Sequence, residues 1–300
     1  LASALIANGV HLVGRSFKYH RPRGFLGAGV EEPNAMVQLH EGDRSEPNIM
    51  ATEVELVEGL KAKSQNCWPS VKFDIGEINN LLNRFFPAGF YYKTFMWPKS
   101  FWFKVYEPII RKAAGMGVAP LSPDPDRYEH NYEHCDVLVV GSGPSGLSSA
   151  LAAAKNGARV ILAEDKAHFG GSLLNDDVTI GNMSGREWAS DVISQLKSMP
   201  NVIVKNRSQV FGYYDHNMTV MFERVSDHEE NPSKYTPRQR LHYIRAGEVI
   251  VSTGSIERPI SFGNNDRPGI FLSSAAREYM KVYRSEEHTS ELQSLLWISY

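Results

Sequence analysis

From Cys135 to Asp165 apolar and polar positions fall in ordered blocks. Val137 to Val140 is a four-residue apolar run, and the glycine-rich turn GSGPSG follows it. Leu147 to Asn156 is rich in Ala and Leu and closes at Gly157, and Arg159 to Ala163 is a second apolar run. Short, uniformly apolar runs suit central parallel strands. The Ala/Leu block predicts a helix stopped by a glycine. Farther on, Glu187 to Met199 has the spacing of an amphipathic helix and Val202 to Val204 reads as a third strand. VFGYYDHNMTVMFERV predicts a hairpin turning at His216–Asn217, and LHYIRAGEVIVSTG predicts two more strands ending at Thr253–Gly254. Strands alternating with helices imply a parallel α/β sheet.

The residues before this block pattern differently. LASALIANG predicts a short helix closed by Gly9, and AMVQLHEG and ATEVELVEGL predict strands, the second with alternating Val54 and Leu56. The stretch from about Pro69 to Glu133 is aromatic and broken by prolines, and its end, SPDPDRYEHNYEH, predicts a linker. The expected division is therefore residues 1–68, a connector over 69–133, and an α/β domain over 134–283. In the tail, Arg284 to Ser294 reads RSEEHTSELQS, which looks like a translated sequencing adapter, so 284–300 is expected to be an artefact. The opening LASALIANGV lacks Met and reads like the middle of an element, so a truncated N-terminus is expected.

Composition narrows the function classes. A length of 300 residues suggests about two domains. The chain is 42% hydrophobic and 22% charged, with a net charge of −2, so no global field recruits nucleic acid or an anionic membrane. No apolar run reaches the ~20 residues of a membrane span. Two cysteines, Cys67 and Cys135, fit a reducing, cytoplasmic setting and exclude a disulfide scaffold.

The glycine turn carries the candidate chemistry. Gly141, Gly143 and Gly146 make G-x-G-x-x-G between a strand and a helix. The first permits the tight turn, the second lets backbone approach a pyrophosphate, and the third lets helix pack on strand. The helix N-terminus, opened by Pro144 and Ser145, faces the phosphates with its amides and dipole. Glu164 ends the second strand about 20 residues on, followed by Asp165. A carboxylate there accepts hydrogen bonds from a ribose diol and repels a 2′-phosphate, which disfavours NADP and leaves NAD and FAD open. Gly171 and Ser172, in HFGGSLL, can bring backbone close to the cofactor. Val210, Thr253 and Gly254 complete the candidate cofactor-binding set. No residue is assigned a catalytic role or a metal.

Other features read as structural. CxxC and CxxxxC are absent, which argues against a disulfide reductase, and Cys67 and Cys135 are expected to pack as small hydrophobes. A metal site from His130, His134 and Cys135 is weighed against a linker, and because EHNYEHCD leads straight into a strand, His130 and His134 are expected to be solvated rather than metal-bound. Arg15, Lys18, His20, Arg21 and Arg23 are followed at once by Glu31 and Glu32, which favours an inter-domain contact over nucleic acid. The aromatic belt Phe90 to Tyr106 contains Lys93, Pro98, Lys99 and Lys104 and is expected to be a domain or subunit interface rather than a membrane anchor. Asp124 and Asp126 are expected to be solvated in the linker.

GRSFKYHRPRGFLGAGVEEPNAMVQL, with PNIMATEVELVEGLKAKSQNCWPS after it, resembles the N-terminal module of heterotetrameric sarcosine oxidase alpha subunits. The resemblance continues through GFYYKTFMWPKSFWFKVYEPIIRKAAG, TPRQRL, GSIERPI and FGNNDRPGI, to about Tyr283. It implies a ferredoxin-like module without its cluster, followed by a truncated Rossmann-type two-dinucleotide-binding domain of the pyridine nucleotide/FAD oxidoreductase kind. At the cluster-cysteine positions of cluster-bearing relatives this chain has Leu26, Glu31, Asn34 and Thr52. With no thiolates there, no iron–sulfur cluster is expected. The resemblance further implies NAD in this part of the chain, with FAD as the alternative, and FMN at the interface with a beta subunit. It implies partnership with beta, gamma and delta subunits. The implied reaction is oxidative demethylation of sarcosine to glycine, with hydrogen peroxide and formaldehyde or methylene-tetrahydrofolate. FAD/NAD-binding alpha-type subunits of related amine, proline, opine or cyanide-forming dehydrogenases, and a non-catalytic dinucleotide-binding scaffold, remain as alternatives.

Overall fold

The structure, a computed structural model, describes residues 1–86, 88–89 and 95–283. The expectations for 90–94 of the aromatic belt and for the tail 284–300 lie outside the described residues. The chain divides into two compact units, Leu1–Pro125 together with the segment from Glu257, and Asp126–Ile256.

In the first unit the opening helix, Ala2–Ala7, buries Ala2 and Ile6. It ends as expected, with Gly9 at φ +70°. Strands β1 (Gly14–Arg15) and β2 (Pro22–Arg23) pair antiparallel. Strand β3 (Met36–Leu39) lies between β4 (Glu46–Met50) and β5 (Ala62–Ser64), antiparallel to both. The strand expected over ATEVELVEGL is displaced: β4 stops at Met50. Leu56 is 62% exposed while Val54 packs on the core, so this alternation belongs to an anchored loop.

The connector forms short helices, Ile78–Leu81 and Glu107–Ala114, the latter ended by Gly115 at φ +68°. The rings of Phe95 and Phe101 lie 5.2 and 6.2 Å from that of Tyr106, whereas Trp97 and Phe103 are exposed. Among the described residues no helix is long and apolar enough to cross a membrane.

The second unit is built on a six-stranded sheet ordered β10–β7–β6–β13–β12–β11. Its strands are β6 (Tyr128–Val140), β7 (Val160–Ala163), β10 (Val202–Lys205), β11 (Ser208–Tyr214), β12 (Met218–Arg224) and β13 (Gln239–Val251). The first four in sheet order are parallel, and β13, β12 and β11 are antiparallel. A two-stranded ribbon, β8 (Thr179–Ile180) and β9 (Met183–Ser184), precedes the helix Gly185–Ser198. A capping box between Ser184 and Glu187 starts that helix, satisfying amides that its first turn leaves free. One face of the sheet packs Val139, Leu162 and Val160 against Leu147, Ala150 and Ala154 of the helix Pro144–Lys155, and against Val192 and Leu196. A second cluster holds Cys135, Leu138, Ile161, Met221 and Ile244. Cys135 is thus the buried small hydrophobe that was expected, while Cys67 is half-buried.

The hairpin turns where expected, with His216 and Asn217 both at positive φ. Two other expectations change. The residues read as the end of a linker, Tyr128 to His134, extend β6 and pair in register with β13 from Gln239 to Arg245. Alternation that looks merely polar is here a strand whose inward residues are ionic: Glu129 meets Arg240, and Glu133 meets His242. The segment read as two strands around Gly247 is one strand, β13. A Cβ at Gly247 would stand 2.8 Å from Asp136 O, so the glycine permits close backbone approach rather than breaking the ladder.

After Glu257 the chain rejoins the first unit. Leu272 N–H donates to Leu26 O, and the helix Ser273–Lys281 adds Ala275 and Tyr279 to the core of Ile6, Phe25 and Val37. Arg21 and Arg23 both pair with Asp266 at 2.7 Å, so the basic stretch serves a contact within the protein.

Candidate functional site: the glycine loop and the Glu32 nest

The sheet brings most of the candidate residues to one edge. Strand β6 ends at Val140, and Gly141 turns at φ +97° with its N–H on Ala163 O of β7. Any side chain there would collide, since a Cβ would lie 2.4 Å from Ser252 O. At Gly146 a Cβ would fall 1.9 Å from Gly141 O, so only glycine lets the helix sit this close to the strand. Gly143 is different. Its φ of −67° and ψ of −177° suit any residue, and nothing lies within 4 Å of where its Cβ would be. Its glycine keeps a space open rather than relieving the fold. Pro144 occupies the first turn of the helix, and Ser145 is exposed beside it. The amides of that turn lack intrahelical partners and carry the positive end of the helix dipole.

Glu164 stands at the tip of β7, only 6% exposed. Its Oε2 accepts from Ser142 N–H at 2.9 Å and Ser142 Oγ–H at 2.5 Å, and its Oε1 accepts from Lys166 N–H at 3.1 Å. Burial, with the Asp165 carboxyl beside it, pushes Glu164 up to about 7. The carbonyl of Asp165 is held by Arg224. Gly170 N–H donates to Ser142 Oγ at 3.1 Å. Gly171 turns at φ +53°, where a Cβ would come 3.0 Å from Gly143 Cα, and Ser172 is exposed next to it. Ser252 N–H continues the β6 ladder by donating to Val140 O. Thr253 and Gly254 follow it exposed, Gly254 at φ +74°.

Val210 does not join this group. On β11 it pairs with Met221 of β12, and its side chain packs on the core of Cys135, Ile161 and Ala163. Ser142, in turn, is a site residue that the sequence reading missed. Its signal is a hydroxyl between two loop glycines, next to a strand whose neighbour ends on an acid. No group of three or more His, Cys, Asp or Glu among the described residues could hold a metal, and His130 and His134 are exposed on β6.

The first unit holds a second array of backbone donors. Glu32, 1% exposed, accepts from the amides of Leu26 and Gly27 on Oε2 and of Asn34 and Ala35 on Oε1. Glu31 accepts from Ala28 and Gly29, Thr52 Oγ donates to Gly29 O, and Tyr279 Oη donates to Gly27 O.

Comparison with known proteins places both units. Residues 1–67 match the family described as a 2Fe-2S iron-sulfur cluster binding domain, and residues 136–210 match FAD dependent oxidoreductases. The first match corrects the expectation of no iron–sulfur cluster, because the module matches a cluster-binding family. The side chains at the loop, Leu26, Glu31, Asn34 and Thr52, are not the thiolate set such a group takes. The sarcosine oxidase subunit alpha of Rhizobium meliloti (strain 1021) is 54% identical over 94% of this chain and 29% of its own length. That of Corynebacterium sp. (strain P-1) is 35% identical over 94% of this chain and 25% of its own. The chain thus spans less than a third of these relatives. L-proline dehydrogenase from P. horikoshii has the same fold over 98% of this chain and 48% of its own, at a TM-score of 0.57 and 18% identity. With a cluster-domain module, a flavoprotein-type α/β unit and this identity along nearly its whole length, the chain is homologous to a part, less than a third, of sarcosine oxidase alpha subunits.

Proposed function

We propose that this chain is the NAD-binding part of a multi-subunit sarcosine oxidase that works with beta, gamma and delta subunits. The reaction of the assembly is oxidative demethylation of sarcosine to glycine, with hydrogen peroxide and formaldehyde or methylene-tetrahydrofolate. The observation that carries the dinucleotide reading is the open side of Gly143, between the first turn of the helix and the acid at the tip of β7. The amides of that turn would hold the pyrophosphate. Glu164 would accept from the ribose diol, which supports a cofactor without a 2′-phosphate. A bound nicotinamide dinucleotide supplies hydride-transfer capacity. No residue of this chain is assigned to the chemical step, and its part is to bind and orient.

The description of the family matching residues 136–210 favours FAD as a second reading. Gly143→Ala separates the readings when built into the full-length protein. The fold tolerates a Cβ there, so with nucleotide stripped from both proteins the melting temperature stays within a degree or two of wild type, while the cofactor meets the new methyl. The nucleotide released by heat from each protein is identified by its spectrum and by an enzymatic NAD assay. NAD released from wild type and lost from the variant supports the proposal. FAD lost in its place transfers the site to flavin, and equal release from both proteins overturns the site.

A further inference from the structure

Ser142 is fully buried, so its side chain is shielded from any ligand on the open side of the loop. Yet its hydroxyl joins three segments that the cofactor reading needs together. It donates to Glu164 Oε2 at the tip of β7, and it accepts from Gly170 N–H, the residue before the close approach of Gly171 to Gly143. Its own N–H donates to the same carboxylate oxygen. With Oε2 held in the loop by both Ser142 donors, Oε1 faces outward, where it takes Lys166 N–H and the carboxyl neighbours that of Asp165.

We propose that Ser142 is a positioning residue for dinucleotide recognition: by anchoring Glu164 Oε2 it fixes the carboxylate that selects an unphosphorylated ribose. This rests on the glycine loop being a dinucleotide site. A charge-assisted hydrogen bond to a buried carboxylate is about twice as strong as a neutral one. Its orientation matters here because repulsion of a 2′-phosphate depends on where the carboxylate charge stands. A loosened Glu164 both binds the diol less well and opposes the phosphate less.

The test is calorimetric titration of NAD and of NADP on the full chain stripped of endogenous nucleotide. Wild type is compared with Ser142→Ala, Glu164→Ala and the double variant. Ser142→Ala is expected to weaken NAD by about tenfold and to lower the NAD-over-NADP preference by a similar factor. In the Glu164→Ala background it is expected to leave that preference unchanged, because the serine acts through the acid. A wild-type preference in Ser142→Ala, whatever happens to affinity, overturns the proposal, and so does an undiminished effect in the Glu164→Ala background. If Ser142→Ala does not fold, Ser142→Cys, which keeps the volume and weakens the donor, carries the same comparison. Wild type that binds neither nucleotide overturns the dinucleotide reading and this inference with it. Wild type that binds NAD, with the variants unchanged in preference, overturns the role of Ser142 alone.

Discussion

Glu32 Oε2 accepts the backbone N–H of Gly27 at 2.7 Å. The same oxygen takes Leu26 N–H, and its partner oxygen takes Asn34 and Ala35. One buried side chain thereby satisfies four amides of a loop that forms no ladder of its own. Glu32→Ala would leave those donors without their acceptor, at a cost of about 3 kcal/mol or more. Glu32→Gln, which keeps the carbonyl oxygen and volume but puts a donor against donors, should fall between wild type and Ala. Thermal melts of the three proteins check the order.

The glycines of the loop should separate folding from binding. Gly146→Ala drives a methyl into Gly141 O, which has no flexible end to move aside. We expect a loss of roughly 1–3 kcal/mol, read as a lower denaturant midpoint for the α/β unit. Gly143→Ala should leave that midpoint unchanged.

If the loop holds a dinucleotide as proposed, Glu164 would make binding depend on pH. The ionised carboxylate would accept ribose hydroxyls, so affinity should rise as pH passes through about 7. Stability should run the other way. Between the ordinary glutamate value and about 7 the unfolded chain has released its proton while the folded chain keeps it, so stability falls as pH rises across that window. Glu164→Gln should flatten both profiles, measured by calorimetry and by melts at a series of pH values.

His242 sits fully buried between Glu133 and Glu223, with 2.7 Å to each, and Lys205 and Arg240 close the cluster around Glu223. Burial works to lower its pKa, but the two carboxylates outweigh it and the net shift is upward. Its contribution is therefore complete below the unfolded histidine value and lost as pH rises through the folded one. His242→Ala leaves two carboxylates without the ring between them and should cost about 3–5 kcal/mol. The variant should also lose the part of the alkaline slope that survives in Glu164→Gln.

Burial pushes the Cys135 thiol up to about 11. At neutral pH it should resist alkylation until the protein unfolds. Mass spectrometry after iodoacetamide treatment, with and without denaturant, checks this.

The βαβ core was legible in the sequence because strand, glycines, helix, strand and acid are local signals with fixed spacing. The helix from Gly185 and the hairpin at His216–Asn217 were legible for the same reason. What escaped depends on partners far along the chain. Tyr128 to His134 looks like a polar linker until Arg240 and His242 are set opposite Glu129 and Glu133, more than a hundred residues away. Gly247 looks like a break until Asp136 O is placed against it. Val210 was placed in the candidate site, but its side chain packs against the core of Cys135 and Ile161. Ser142 was passed over as the variable position of a motif whose glycines draw the eye, although its hydroxyl ties the loop together.

The helix Ser273–Lys281 packs against residues made at the other end of the chain, with Tyr279 on Gly27 and Leu272 on Leu26. On the ribosome, Phe25, Ile6 and Val37 emerge first and must wait while the whole of Asp126–Ile256 is synthesised before their covering helix appears. During that interval the opening segment presents an unfinished apolar surface, the kind of nascent intermediate that chaperones hold. The α/β unit is continuous in sequence, so within these residues the unit whose translation starts first receives its covering helix only after the other has been made.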